Sequence, residues 1–537
     1  MRWWGWGVDG HDAPLAKAAV ALLRDELGAG GGRAAPVALA RVALPAPALR
    51  ARARARIAAA VGAEHLRDAR LARVAHAAGR SYPDIVRLRS GHGLTAPDAV
   101  VFPADEAEIA ELLAVCAQES VAVIPFGGGT SVVGGVEPLR GPLAAAVTLD
   151  LARVTGLRAL DARSQLATFA AGTTGPEVER LLGARGLTLG HFPQSFEFST
   201  VGGWAATRSA GQASTGYGRI DELVVALRAA TPRGELAAHV VPASAAGPDL
   251  RELLLGSEGV LGVLTEVTLH VRPRPPAQRF DAFSLPGFAA GAEALRELAQ
   301  AGAAPDLARL SDEEETRISL ALAWHPAATR VLRAYLQARG RHAGCLTILG
   351  FDGEPAQIAR RRARARAILR RHGAIALGRA PAAAWARGRF HGPYLRDALL
   401  SRGVLVDALE TATTWTALRE LHRDVGAALR GALARRGTPA VVMCHVSHVY
   451  ATGASLYFTF LARQQPGAEL EQWRAAKDAA SAAISRAGAT ITHPHGGGAD
   501  HAPWLASEVG ELGIEALRAL KAHVDPAGVM NPGKLLA

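Results

Sequence analysis

With 537 residues, 49% of them hydrophobic and 20% charged, the chain is too long for one compact core and too apolar for global disorder, so two or three domains are expected. A formal net charge of +11 raises nucleic acid as a partner, but the arginines alternate through Leu49–Arg56 and Arg360–Arg371. That spacing wraps charge around a helix instead of setting one stripe, so a solvated helix face is favoured and no nucleic-acid partner is expected; the field also suits an anionic substrate or membrane surface.

Along the chain, Met1–Gly7 lacks the apolar stretch and cleavage site of a signal peptide. Residues 14–80 read as Ala-, Leu- and Arg-rich helices, broken by Gly28–Gly32 and by Pro45 and Pro47. The texture changes near Pro97. A helix over Glu106–Gln118 leads into the apolar run Val121–Ile124, then a glycine cluster. Strand-like runs follow at Ala145–Leu149 and Gln165–Ala170, with a helix near Pro176–Arg185. Leu223–Ala229 and Glu235–Val241 flank Pro232-Arg233-Gly234 as a hairpin. Val263, Thr265, Val267, Leu269 and Val271 alternate, which suits a half-buried strand. Pro273, Pro275 and Pro276 mark a boundary, beyond which lie a second α+β region to about residue 440 and a His- and Gly-rich end. No window approaches the ~20 apolar residues of a membrane-spanning helix. Cys116, Cys345 and Cys444 form no CxxC pair, which argues against disulfides and structural zinc and for a reducing compartment. A cytoplasmic protein is expected.

The first segment that carries chemistry is Pro125-Phe126-Gly127-Gly128-Gly129-Thr130-Ser131, continuing to Gly135, directly after a strand. Closely spaced glycines let backbone N–H groups converge on an anion, and Thr130 and Ser131 add hydroxyl donors, which is chemistry for a pyrophosphate. No GK[ST] follows and no GxGxxG is present, so it is neither a Walker loop nor a Rossmann fingerprint. Alone, a tight structural turn explains it equally well. It is joined by the long polar loop 193–224 and by Gly256–Leu264, which puts small residues at the head of another strand.

Three such segments in this order, with Asn531-Pro532-Gly533-Lys534-Leu535-Leu536 at the end, resemble the PCMH-type FAD-binding domain of the vanillyl-alcohol-oxidase family. Within it the chain is similar to the alkyldihydroxyacetonephosphate synthase branch. The likeness rests on Arg2–Gly7, Glu197–Trp204, Ala206–Arg208, Tyr217–Val224, Pro393–Asp397, Glu410–Trp415 and Cys444–Phe458. The resemblance implies an α+β fold: a helical segment over 1–93, a two-part FAD-binding domain over 94–275, a substrate (cap) domain over 276–440, and a catalytic segment over 441–537 that returns to the flavin domain. It implies flavin contacts at Pro125–Ser131, at Gln194, Ser195, Phe196, Glu197, Phe198, Ser199 and Thr200, at Thr207, Arg208, Ser209 and Ala210, and at Glu258, Gly259, Val260, Leu261, Gly262, Val263 and Leu264.

The same likeness makes Arg396 the holder of a substrate phosphate, a task suited to a planar, permanently charged fork. Arg309 becomes a second arginine important for activity, Tyr457 the acid/base, and His493 and His495 the outer members of a histidine triplet beside the flavin. Two departures stand out: the middle of that triplet is Pro494, and the lysine usual after it is absent, the segment reading Gly496-Gly497-Gly498-Ala499. On residue type alone, Tyr457 reads as a core strand aromatic, and Arg309 and Arg396 read as ion-pair partners of Asp312 and Asp397. His493 and His495 share one face if their segment is extended, and imidazoles so placed are also metal ligands.

The implied reaction exchanges the acyl group of acyl-dihydroxyacetone phosphate for a fatty alcohol in ether lipid synthesis, with FAD as a redox-neutral electron sink. Tyr457, its phenol tuned below its free value, moves the C1 proton, and His493 or His495 activates the alcohol. The middle domain would supply an apolar tunnel for the fatty chain. His92 and His191 lie near or within the flavin domain, but the synthase branch does not tether its flavin, so dissociable FAD is expected, in a homodimer with peripheral membrane contact. The rival is an FAD-linked 2-hydroxyacid dehydrogenase of the D-lactate type. Its Gly-His-x-Gly-Asp-Gly-Asn-x-His metal segment survives here only as His448, so no metal is expected.

Overall fold

The computed structural model describes residues 1–11, 14–29, 31, 34–322, 326–341 and 344–536, of which 326–329 by backbone alone. Among the described residues three larger sheets organise the chain, with a two-stranded one, Leu187–Thr188 with Arg272–Pro273, beside them. A four-stranded sheet runs in the order Leu66–Arg67, Ala99–Val101, Ala145–Asp150, Val121–Phe126, and the last three strands are parallel neighbours. Parallel pairing needs a crossover, and the helix Glu106–Glu119 supplies it. It starts because the Asp105 side chain accepts from the Glu108 N–H at 3.0 Å, and it ends where Ser120 turns left-handed at φ +54. Its buried Ile109, Leu112, Leu113 and Cys116 recur at helical spacing and pack on the sheet.

A five-stranded antiparallel sheet follows, ordered Leu157–Asp161, Leu166–Ala170, Val263–His270, Val224–Thr231, Gly234–Ala237. It shares one apolar core with the four-stranded sheet. The alternating set Val263, Thr265, Val267 and Leu269 is buried, while Glu266 and His270 on the other face are only half-covered. The hairpin forms, but its second strand stops at Ala237 and not at Val241, because residues 239–250 are exposed and have no sheet face to cover.

After Pro273 the chain enters a seven-stranded sheet ordered Ile375–Gly378, Ala277–Leu285, Cys345–Gly353, Leu307–Ser311, Val441–Val449, Gly453–Arg463, Val404–Thr414. The helices Phe288–Gln300, Pro355–Arg371, Leu418–Arg435 and Glu469–Arg486 pack into the same core as this sheet. The Arg-rich Pro355–Arg371 helix is pinned by Arg361–Asp306 at 2.9 Å and Arg362–Asp281 at 2.6 Å, which engages two of its cations within the protein.

Strand alternation then sorts side chains. Ala308, Leu310, Cys444, Val446, Leu456, Phe458 and Phe460 enter the helix-covered core, each larger one contributing about 1.5–3 kcal/mol on burial. Their neighbours Arg309, His445, Tyr457 and Thr459 face a cavity on the other side. Ser311, His445, Tyr457 and Glu410 pair across four adjacent strands in one row. The chain end ties the halves together: Met530 bridges Val123, and Asn531 Nδ2 donates to the carbonyls of Gly135 (3.2 Å) and Glu258 (2.7 Å). Among the described residues no helix is long and apolar enough to cross a membrane.

Candidate active site

A cavity of about 490 Å³ lies between the glycine loops and the open face of the seven-stranded sheet. One wall is Pro125–Ser131, Gln194, Ser195, Ser199 and Thr200, with Thr207, Ser209, Ala210, Glu258, Gly259, Gly262 and Leu264. The glycines are required by sterics. A Cβ on Gly128 would sit 1.8 Å from the Phe198 carbonyl oxygen, and one on Gly127 would sit 2.3 Å from Thr200 Oγ1. Loop 125–131 and loop 194–200 therefore press backbone to backbone, which leaves a concave, Cβ-free wall of the kind a dinucleotide pyrophosphate fills. Glu258 braces this wall from beneath by accepting from the N–H groups of Gly497 (2.5 Å) and Gly498 (3.0 Å); burial, opposed by those two contacts, pushes its carboxyl up to about 7. Gly128→Ala should thus empty the site: the purified variant is expected to lose the flavin absorbance band on gel filtration while keeping its far-UV circular dichroism.

Not every expected flavin residue reaches the cavity. Phe196 packs on Phe192 at 5.2 Å, Glu197 accepts from the Tyr394 hydroxyl at 2.8 Å, and Phe198 stands edge-on to Trp6 at 5.4 Å. Arg208 closes the helix Val201–Thr207 with φ +50 and turns away, its guanidinium pairing with Glu252 at 2.7 Å and Asp221 at 3.5 Å. Val260, Leu261 and Val263 are buried behind the wall. These positions shape the loops and do not line the cavity.

The opposite wall carries Arg309, Arg396, Glu410, His445, Ser447, His448, Tyr457 and His495. The ion-pair reading of Arg309 and Arg396 with their neighbouring aspartates fails. Asp312 caps the helix Glu313–Ala321 by accepting from the Glu315 N–H at 2.7 Å, and Asp397 accepts from the Trp6 N–H at 2.6 Å. Arg309 reaches Glu315 at 2.8 Å and His445 Nδ1 at 3.1 Å instead. Burial would raise Glu315, but Arg309 and His445 beside it hold its carboxyl well below the usual range. Arg396 donates one N–H to the Arg80 carbonyl, and its Nε and Nη2 are buried without a partner. Arg80 is itself buried, its guanidinium donates to the Gly79 and Arg2 carbonyls and to Met1 Sδ, and it is lowered to about 10 by burial and by Arg396. Neither guanidinium makes a direct ion-pair contact among the described residues, although Asp397 acts on both and Asp84 on Arg80 electrostatically; Arg396 lines the cavity and Arg80 adjoins it from behind.

Tyr457 stacks on His445 at 4.8 Å and meets His495 edge-on at 5.9 Å. Its phenol is not tuned below its free value as expected: burial pushes it up, and the negative charges of Glu410 and Asp407 push it further. It holds its proton through the neutral range. Burial lowers His495 and His445, so both imidazoles are neutral there.

The paired-histidine expectation needs correcting. Residues 493–495 form a bend and not an extended segment, so the same-face rule for i and i+2 does not apply. His495 lines the cavity; His493 sits behind its wall, with Nε2 2.7 Å from the Tyr450 hydroxyl and Nδ1 3.3 Å from Glu410. Glu410, His445, Ser447 and Trp6 were given no role on sequence alone. His445 and Ser447 were detectable as alternate polar positions in an apolar strand. Glu410 and Trp6 were not, because their neighbours are remote in the chain.

Comparisons with known proteins place the chain in a family. Residues 97–238 match the FAD binding domain family, and residues 274–535 match the C-terminal domain of FAD linked oxidases. The chain is 35% identical over 483 residues to the alkyldihydroxyacetonephosphate synthase of Dictyostelium discoideum, covering 88% of this chain and 79% of that one. The synthase of Trypanosoma brucei brucei is 32% identical, with 87% and 77% covered. A solved alkyldihydroxyacetonephosphate synthase structure superposes with a TM-score of 0.87 at 30% identity, over 99% of this chain and 98% of that one. Sequence, fold and cavity thus converge, and the chain belongs to the alkyldihydroxyacetonephosphate synthase family of FAD-dependent enzymes.

Proposed function

We propose that the protein exchanges the acyl group of an acyl-dihydroxyacetone phosphate for a long-chain alkoxy group. The observation that carries this reading is the Arg80–Arg396 pair. Arg396 keeps two guanidinium N–H groups buried and unpartnered on the cavity wall, with Arg80 adding positive charge beside it, an arrangement that an arriving anion relieves, and the substrate phosphate is that anion. Bound FAD, held without a covalent tether by the glycine loops, supplies the electron sink at the reacting carbon.

The chain's own residues do the rest. Arg396 turns its free Nε and Nη2 to the phosphate and so fixes the headgroup relative to Tyr457. Tyr457 moves the proton at C1; because its phenol is raised, it enters as a proton donor and becomes an acceptor only after giving that proton up. Arg309 acts through His445, holding the imidazole against the Tyr457 ring. His495, neutral and on the cavity wall, takes the proton of the incoming alcohol; His493 supports the wall through Glu410. The remaining wall residues, with Leu307, Val406 and Trp385 among them, exclude water. In this reading residues 94–275 bind the flavin, 276–440 cap the substrate, 441–537 bring the catalytic strand, and 1–93 brace the phosphate end. The protein works as a cytoplasmic homodimer touching the membrane peripherally, because both lipid substrates partition there.

Purified protein given acyl-dihydroxyacetone phosphate and hexadecanol should release fatty acid and form the ether product in equal amounts. No ether product despite full FAD loading overturns the reading, and dye reduction driven by D-lactate or 2-hydroxyglutarate would put the dehydrogenase in its place.

A further inference from the structure

Glu410, His448 and His493 stand together beside the cavity in a geometry that supporting its wall does not require. Glu410 Oε1 lies 3.3 Å from His448 Nδ1 and 3.3 Å from His493 Nδ1, and the three atoms fall within 4.8 Å of one another. All three residues are buried. Hydrogen bonds between imidazole and carboxylate close to about 2.7–2.9 Å. Ligands held at ~2.0–2.1 Å by a tetrahedral zinc stand about 3.3 Å apart. The spacings sit at the long end of hydrogen bonding and fit ligands around one ion.

The far nitrogens point the same way. His448 Nε2 lies 2.9 Å from the Gly211 carbonyl oxygen, which only accepts, so Nε2 carries the proton. Its Nδ1 faces the Glu410 carboxylate, with the Ser447 hydroxyl, itself bonded to Glu410, at 2.9 Å and the Ser455 hydroxyl at 3.4 Å. His493 Nδ1 has Glu410 at 3.3 Å but no well-aligned hydrogen bond among the described residues, while its Nε2 is held by the Tyr450 hydroxyl at 2.7 Å. Imidazoles oriented through the far nitrogen, with the near one aimed at a shared carboxylate, have the outer support that metal ligands use. The His448 placement is a product of the strand: the ladder between Val441–Val449 and Gly453–Arg463 slips between Val446 and Val449, and that bulge puts both Ser447 and His448 on the cavity wall.

We propose that Glu410, His448 and His493 form a binding site for a divalent transition-metal ion, zinc above all, at the wall of the flavin cavity. Two imidazoles and one carboxylate are a donor set suited to zinc and poorly suited to magnesium or calcium. Glu410 and His448 both border the cavity, so the ion is within reach of an oxygen ligand there.

The test is binding and not turnover. Tag-free, FAD-loaded protein is treated with chelator, titrated with zinc chloride by calorimetry, and analysed for metal after gel filtration. One equivalent of zinc should be retained, and magnesium should not compete. His448→Gln and, separately, His493→Gln should each weaken zinc at least about tenfold, with flavin absorbance and far-UV circular dichroism unchanged. Two variants are used so that misfolding of one leaves the other to decide. Absence of a stoichiometric site in the wild type, or zinc binding undiminished in a folded variant, overturns the proposal and leaves the trio as a buried carboxylate bridging two histidines.

Discussion

Arg396→Ala should abolish turnover and leave the flavin spectrum as it is in the wild type. The guanidinium contributes to no flavin loop: its one bond runs to the Arg80 carbonyl, and its Nε and Nη2 are free at the cavity wall. A buried charge-assisted contact to phosphate is worth roughly 2–4 kcal/mol, so substrate affinity should fall about thirty- to a thousand-fold. Arg396→Lys should recover part of it, since lysine keeps the charge and loses the fork. Removing Arg396 also removes a repulsion, because Arg80 is lowered partly by its neighbour. That relief is set against the loss of the Arg396 charge beside buried Asp397, so the melting temperature in the absence of substrate should change little. Inorganic phosphate should protect the wild type against heat and fail to protect the variant. Release of FAD or unfolding of Arg396→Ala would mean that the arginine is a structural strut.

Tyr457→Phe separates from that variant cleanly. It deletes one hydroxyl from a ring stacked on His445, with little change in volume, so substrate should bind with near wild-type affinity. Turnover should drop by about 10²–10⁴-fold, the usual weight of a positioned proton carrier. The effect should fall on kcat and spare KM, whereas the Arg396 effect falls on binding. Near wild-type turnover in Tyr457→Phe would return the residue to strand packing and take away the reaction's proton carrier. The raised phenol adds a second check: no loss of activity with a midpoint near pH 7 should trace to Tyr457, because burial and the Glu410 and Asp407 charges keep it protonated there.

The sequence by itself determined the parts governed by local rules. The glycines of 127–129 announced a Cβ-free turn, and the Val263–Leu269 alternation announced a strand with one buried face. The Pro273–Pro276 cluster fell where the chain passes from the five-stranded to the seven-stranded sheet. Each depends on residues a few positions apart, so composition and period suffice. Arg396 and Tyr457 were found through their motifs, and both stand on the cavity wall. What only the tertiary structure decided involves partners far apart in the chain. Arg80 meets Arg396 across 316 positions, and Trp6 meets Asp397 across 391. Glu410 meets His448 across 38 positions because Val404–Thr414 pairs with Gly453–Arg463 and a bulge then turns His448 inward. His493 was expected at the surface of the site and sits behind it, because a bend replaced the extended backbone. Register, bulges and bends follow from long-range pairing, and a one-residue slip moves a strand's side chains to its other face. No local pattern in the sequence encodes that choice.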